Sequence, residues 1–149
     1  MEKITVVKVG GKVVESEASL MKLLEGFCAI QGKKVLVHGG GRLATTIGDK
    51  LGIKSKYING RRITDSETLQ VVTMVYAGLV NKTIVAKLQA LSCNAIGLTG
   101  ADMNIIEAHK RPVKDIDYGF AGDIDNVNAS LLSGLIDKNV VPVLAPLTH

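Results

Sequence analysis

The sequence predicts an α/β fold: a mostly parallel, open sheet flanked by helices, with a β-hairpin inserted. Three observations carry that reading. Two short apolar runs, Ile4-Thr5-Val6-Val7-Lys8-Val9 and Lys34-Val35-Leu36-Val37-His38, end in the glycine turns Gly10-Gly11-Lys12 and Gly39-Gly40-Gly41-Arg42. Short, β-branched runs bounded by glycine read as buried strands of a parallel sheet. Each turn is followed by a pattern of helical period, giving alternating strands and helices. Hydrophobic residues make up 46% of the chain and aromatics only 3%, so the core is aliphatic.

The elements follow in order. Ser16 caps a helix running to about Gln31, with Leu20, Leu23, Leu24, Phe27 and Ile30 at helical spacing and Gly32 just past its end. A shorter helix covers about Leu43 to Leu51 and closes at Gly52. The runs Ile53 to Ile58 and Arg62-Ile63 flank Asn59-Gly60, a strong tight-turn dipeptide, and so form a hairpin. Thr64-Asp65-Ser66-Glu67 reads as a capping box with Thr64 as N-cap. It opens the longest helix, to about Leu91, whose apolar positions include Leu69, Val72, Val75 or Tyr76, Leu79, Ile84 and Leu88. Those positions surround more of the circumference than one core contact can cover, which predicts a second contact surface. Ala95 to Thr99 is a buried strand. Ile105-Ile106-Glu107 and Tyr118 to Ile124 form short strands or a hairpin. Asn128 caps a helix over 129–138, and Val140 to Leu144 is a last strand before Pro146.

The 149 residues suit one domain with a substantial core. The net charge is +4, but the basic residues are scattered, with only Lys33-Lys34 and Arg61-Arg62 adjacent, and no basic helix carries interleaved aromatics. That argues against a nucleic-acid partner and suits a modest positive field around an anionic substrate. The sequence offers no apolar stretch long enough to cross a bilayer and no leader-like segment at Met1, so no membrane partner is expected. Cys28 and Cys93 read as free, buried thiols in preference to a disulfide, which implies a reducing compartment, the cytoplasm.

The glycine turns carry the chemistry. Glycine lets backbone N–H groups approach an anion, and a helix N-terminus adds a favourable dipole. Gly39-x-Gly41-x-x-Ala44 also meets a relaxed dinucleotide pattern, but the next run, Ile53 to Ile58, lacks the expected acid. A P-loop is excluded by the spacing. The same glycines would also serve tight packing of a βα turn. Lys8 is charged inside an apolar strand next to Gly10-Gly11, where an anion would meet its ammonium; it also suits a strand-end lysine reaching water. Arg62 follows the Asn-Gly turn and can fork onto a carboxylate, or be one more surface arginine. Arg61 should point the other way. Lys82 reads as a solvated helix lysine, His38 as a neutral histidine bonded to backbone, and Asp102 as a turn or cap. The sequence has no metal-ligand spacing and no Ser–His–Asp grouping.

Lys8-Val9-Gly10-Gly11, Val37-His38-Gly39-Gly40-Gly41, Asn59-Gly60-Arg61-Arg62-Ile63-Thr64 and Asn81-Lys82-Thr83 resemble successive motifs of the N-acetylglutamate kinases, enzymes of arginine biosynthesis with the amino-acid-kinase fold. The similarity continues through Gly97-Leu98-Thr99-Gly100, Gly119-Phe120-Ala121-Gly122 and Val141-Pro142-Val143. Thr99-Gly100-Ala101-Asp102-Met103 and Pro146-Leu147-Thr148 depart from the family pattern. The resemblance implies that 1–149 is an N-terminal acylglutamate-binding lobe, with the nucleotide-binding C-terminal lobe outside it. It implies transfer of the ATP γ-phosphoryl group to the side-chain carboxylate of N-acetyl-L-glutamate or a related N-acylglutamate. Lys8 would neutralise charge on the transferring group, and amides near Gly11 and Gly40 would donate to its oxygens. Gly40 and Gly41 would seat the substrate and Arg62 would clamp its α-carboxylate. Mg2+ would accompany ATP, with ligands in the C-terminal part, and homodimers would form through the helix at 65–91. The alternative is a non-catalytic dinucleotide- or amino-acid-binding module.

Overall fold

Four parallel strands form the backbone of the structure, a computed structural model that describes residues 3–149. Met1, where a leader would begin, and Glu2 lie outside them. In chain order the elements are β1 (Thr5–Val9), α1 (Gly11–Val14), α2 (Glu17–Ala29), β2 (Lys34–His38), α3 (Gly41–Lys50), β3 (Lys56–Ile58) and β4 (Arg61–Ile63). A continuous helix follows in three segments: α4 (Ser66–Thr73), a π-helical stretch (Met74–Val80) and α5 (Asn81–Ala90). Then come β5 (Ala95–Leu98), a 3₁₀ turn (Asp102–Asn104), β6 (Ile106–Lys110), β7 (Gly122–Val127), α6 (Ala129–Ile136) and β8 (Val141–Leu144).

The main sheet has the order β1-β2-β8-β5, and all its pairings are parallel. Each strand therefore returns through a helical crossover, as the alternation in the sequence requires. One face of the sheet packs against α2, α3 and the long helix, where Val9, Leu24, Phe27, Leu36, Val71, Ile84, Leu88 and Val143 close a single core. Strand alternation sends Val6 and Lys8 of β1 to the opposite face, where both are exposed. Two antiparallel ribbons, β3-β4 and β6-β7, stand outside the sheet. Asn59 and Gly60 turn the first with φ of 51° and 75°, the left-handed pair that a two-residue hairpin needs.

Most elements lie where the sequence places them, within a few residues at the ends. Ser16 caps α2 as expected, accepting from the Ser19 amide at 3.3 Å. The short α1 was not anticipated. The cap of the long helix moves by one residue. Asp65, not Thr64, is the N-cap, and its carboxylate accepts from the Thr68 amide at 2.8 Å. The Thr64 backbone is committed elsewhere, to Tyr118 O (3.0 Å) and Phe120 N (2.7 Å), so the helix cannot begin there. That bridge explains Gly119, whose φ is +70° and whose added Cβ would stand 2.1 Å from Thr64 O.

The long helix is not regular. A purely α-helical phase would turn Leu79 to the core, but Leu79 is exposed and Val80 is buried. The π-helical stretch widens the turn, so residues five apart share a face: Val75 and Val80 point inward, Met74 and Leu79 outward. By length and mean hydropathy, Ser66–Ala90 is also apolar enough to cross a membrane, contrary to the sequence reading. Its inward side packs in the domain core through Val71, Val72, Val75, Val80, Ile84 and Leu88, the position of a core helix in a layered fold.

Asp65→Ala should lower the thermal midpoint by about 2–4 °C, more than Thr64→Ala does, because only Asp65 caps a helix amide. Calorimetry of the two variants side by side checks this order.

Candidate active site

The two glycine turns meet at the C-terminal ends of adjacent strands. Val9 pairs with His38 across β1 and β2, and Gly39 N donates to Val9 O at 3.0 Å. A Cβ on Gly39 would lie 3.8 Å from Gly11 N, so the turns are in van der Waals contact. Gly41 opens α3, and Gly40 is its N-cap without any side-chain cap. Its first amides therefore point into the space beyond the strands, the crevice side of a parallel sheet. Gly40 is required by close approach: an added Cβ would stand 3.0 Å from the Tyr76 ring. Tyr76 comes from the π-helical stretch, and burial raises its phenol pKa against the lowering effect of the Arg62 charge.

Arg62 reaches this turn from β4. Its Nη2 donates to Gly41 O (2.5 Å), Thr45 Oγ1 (2.8 Å) and Tyr57 Oη (2.7 Å), and its Nε donates to Tyr57 Oη (3.1 Å). Thr45 Oγ1 lies 3.0 Å from Gly41 O and 2.7 Å from Tyr57 Oη, and its one proton can serve either bond. The guanidinium carbon also lies 5.4 Å from the Tyr57 ring centroid. Burial alone would raise the Tyr57 phenol pKa, but bonds with Thr45 and Arg62 and the guanidinium charge outweigh it and hold the pKa below its ordinary value. One atom is left over: Arg62 Nη1 is buried with no partner. A buried cationic donor without an acceptor is costly, and a turn of the guanidinium that exposed it would let an incoming carboxylate oxygen satisfy it. A two-point grip would need Nη2 to release one of its protein acceptors.

Behind the triple glycine lies a buried polar relay. His38 Nδ1 bonds Gly39 O at 2.9 Å, and a carbonyl can only accept, so the proton is assigned to Nδ1. Bare Nε2 then accepts from the Asn81 side-chain amide at 3.0 Å, which also donates to Val143 O at 3.0 Å. Asn81 fits only because residue 97 is glycine, since a Cβ there would stand 1.8 Å from its Oδ1. Lys82 Nζ bonds Asn81 Oδ1 (3.1 Å) and Gly97 O (2.8 Å), so it is tied to the relay rather than merely solvated as expected.

The structure thus brings together Gly11, Gly40, Gly41 and Arg62. Lys8 lies at the same strand ends but is exposed, with no hydrogen bond or ion pair among the described residues. Arg61 is exposed and lines a different cavity, as alternation requires. Asp102 holds a turn, accepting from Thr99 N (2.6 Å) and Oγ1 (2.8 Å). Sequence reasoning missed Tyr57, Thr45 and Tyr76. Their signal lies in a hydroxyl facing back along the first turn of α3 and in aromatics, scarce in this chain, placed on elements that meet the glycines. Among the described residues no group of three or more His, Cys, Asp or Glu could hold a metal ion, so no ligand set for Mg2+ is found there.

The layered sheet, the paired glycine turns and the arginine seated on them define a class: residues 3–149 match the amino acid kinase family, and the chain belongs to it. It is 70% identical over 148 residues to acetylglutamate kinase of Bacteroides thetaiotaomicron, covering 99% of this chain and 58% of that protein. The chain therefore spans little more than half the length of that relative. Among solved structures it resembles smu.665 from Streptococcus mutans (TM-score 0.83, 23% identity, covering 98% of this chain and 59% of that one). It also resembles N-acetylglutamate synthase from Neisseria gonorrhoeae complexed with coenzyme A and N-acetyl-glutamate (TM-score 0.80, 24% identity, 98% and 34% covered). These last two likenesses concern the fold.

Burial holds the His38 pKa below its ordinary 6.5, against the opposing pull of the Gly39 carbonyl. The unfolded chain therefore binds a proton first, so stability is full above pH 6.5 and falls as pH drops below it towards the folded value. Urea midpoints measured across that window should show the decline, and His38→Gln should flatten it.

Proposed function

We propose that this chain is the acylamino-acid-binding lobe of a carboxylate kinase. In the whole protein it would work on N-acetyl-L-glutamate or a close N-acyl analogue, with ATP as phosphoryl donor, in arginine biosynthesis in the cytoplasm. The observation that carries the reading is Arg62 Nη1, a buried cationic donor without a partner, held beside Gly41. The 70% identity to a protein named acetylglutamate kinase supports the same substrate.

The chemistry follows from the residues. Arg62 takes the α-carboxylate of the substrate, aligned by Tyr57 and Thr45, and leaves the side-chain carboxylate to point along the glycine turns. That carboxylate is already ionised at neutral pH and needs no general base. The amides around Gly11 and at the start of α3, from Gly40 to Gly41, donate to phosphoryl oxygens as charge develops. Lys8, exposed on β1, supplies a positive charge to the transferring group. ATP would bring Mg2+ as its counter-ion, with ligands for it in the C-terminal part.

Lys8→Ala in the full-length protein should reduce turnover by about 10²-fold or more with little change in the unfolding midpoint. Coupled measurement of ADP release on addition of N-acetylglutamate tests both the reading and the residue. Absence of any acylglutamate-dependent ADP release in the wild type would favour a non-catalytic binding module.

Arg62→Lys should raise KM for the acylglutamate about tenfold or more while leaving that for ATP nearly unchanged, because a point charge replaces a planar fork. Initial-rate series varied in each substrate separate the two effects.

The same reading includes homodimers through the outer side of the long helix, where Met74 and Leu79 are 55% and 49% exposed. Val75, although apolar, is a core residue of its own subunit, so a charge there tests folding rather than association. Leu79→Glu should shift the protein towards monomer in light scattering at micromolar concentration with its circular dichroism unchanged.

A further inference from the structure

A cavity of about 610 Å³ opens at the other end of the sheet from the glycine turns, where β2, β5 and β8 begin. Cys28, in the last turn of α2, and Cys93, in the turn between α5 and β5, both line it as half-buried free thiols. Both backbones are pinned. Lys34 Nζ sits on the end of α2, bonding the carbonyls of Phe27 (3.1 Å), Cys28 (2.8 Å) and Ile30 (2.9 Å). Cys93 N donates to Leu88 O at 2.9 Å. Both thiols belong to one cavity wall: burial, reinforced by the neighbouring Cys93, pushes the Cys28 thiol up to about 11, while the Lys34 ammonium acts in the lowering direction. Two cysteines far apart in sequence, lining one cavity from backbone positions held by hydrogen bonds, have no part in the site described above.

We infer that Cys28 and Cys93 are a site of reversible oxidation, joined by a hydroperoxide into an intramolecular disulfide that staples the end of α2 to the α5–β5 turn. One thiolate attacks a peroxide oxygen; the O–O bond breaks, giving a sulfenic acid and hydroxide, which takes up the proton released by the thiol. The second thiolate then attacks the sulfenic sulfur. The S–S bond forms, the S–O bond breaks, and the departing hydroxide leaves as water with the second proton. Two thiols lose two electrons and two protons, and hydrogen peroxide becomes two waters. The raised thiol pKa leaves little thiolate at neutral pH, so the pair stays reduced until peroxide is in excess.

The test treats the full-length protein with hydrogen peroxide, blocks remaining thiols with iodoacetamide and maps peptides by mass. The expected product is a Cys28–Cys93 linked peptide pair, lighter than the reduced pair by two hydrogens and released by dithiothreitol. The thermal midpoint should rise by roughly 5–10 °C on oxidation, since the bond closes a long loop. Cys28→Ser and Cys93→Ser should each abolish that rise. Should either variant misfold, the peptide map of the wild type decides alone. Both cysteines still alkylated after peroxide, each oxidised separately to sulfinic acid, or disulfides formed only between molecules would overturn the inference.

Discussion

The bond between Asn81 and His38 is the constraint on which the rest of the site depends. It joins the start of α5 to the end of β2, and the same amide reaches Val143 of β8. Three elements distant in sequence are thereby fixed at the point where the chain leaves the sheet and enters the triple glycine. Buried polar groups are expensive unless every member is satisfied. Here the donors and acceptors are arranged so that one neutral histidine tautomer fits. Gly97 is part of the same constraint, because any side chain there would occupy the space of the Asn81 amide. A strand glycine that looks like a weakness is the space for the cross-link.

The long helix depends on a second device. Its π-helical stretch brings Val75 and Val80 inward together and carries Tyr76 against Gly40, while Met74 and Leu79 turn outward. One irregular turn therefore serves the core, the glycine turn and the exposed apolar side. A regular α-helix could not satisfy all three, since its phase would take Leu79 into the core and Val80 out of it. The hairpin β3-β4 completes the arrangement from outside the sheet by delivering Tyr57 and Arg62 to the first turn of α3.

Much of this was legible locally. The strands β1 and β2, the caps at Ser16 and Asn128, the Asn59-Gly60 turn and the neutral, backbone-bonded His38 rest on interactions within a few residues. The capping box at Thr64 misled because Thr64 makes backbone bonds to Tyr118 and Phe120, more than fifty positions away. Lys82 misled for a similar reason, since its partner carbonyl is on Gly97. The inward turn of Val80 was not readable, because a π turn leaves no periodic trace distinguishable from an α-helical one over seven residues. In the site, the glycines and Arg62 were readable because their chemistry is unusual for their positions, and the hydroxyls of Tyr57 and Thr45 were not, because such groups are common on any hairpin or helix.

The sequence by itself determined the order of elements, the parallel sheet, the aliphatic core and the two glycine turns. These follow from periodicity and from backbone freedom, which are properties of short segments. Only the tertiary structure decided that Arg62 lies on Gly41 with one nitrogen unsatisfied, that Asn81 secures His38, and that Cys28 and Cys93 line one cavity. Each of these joins residues from different elements, and a burial or hydrogen bond of that kind exists only once the sheet order brings those elements together.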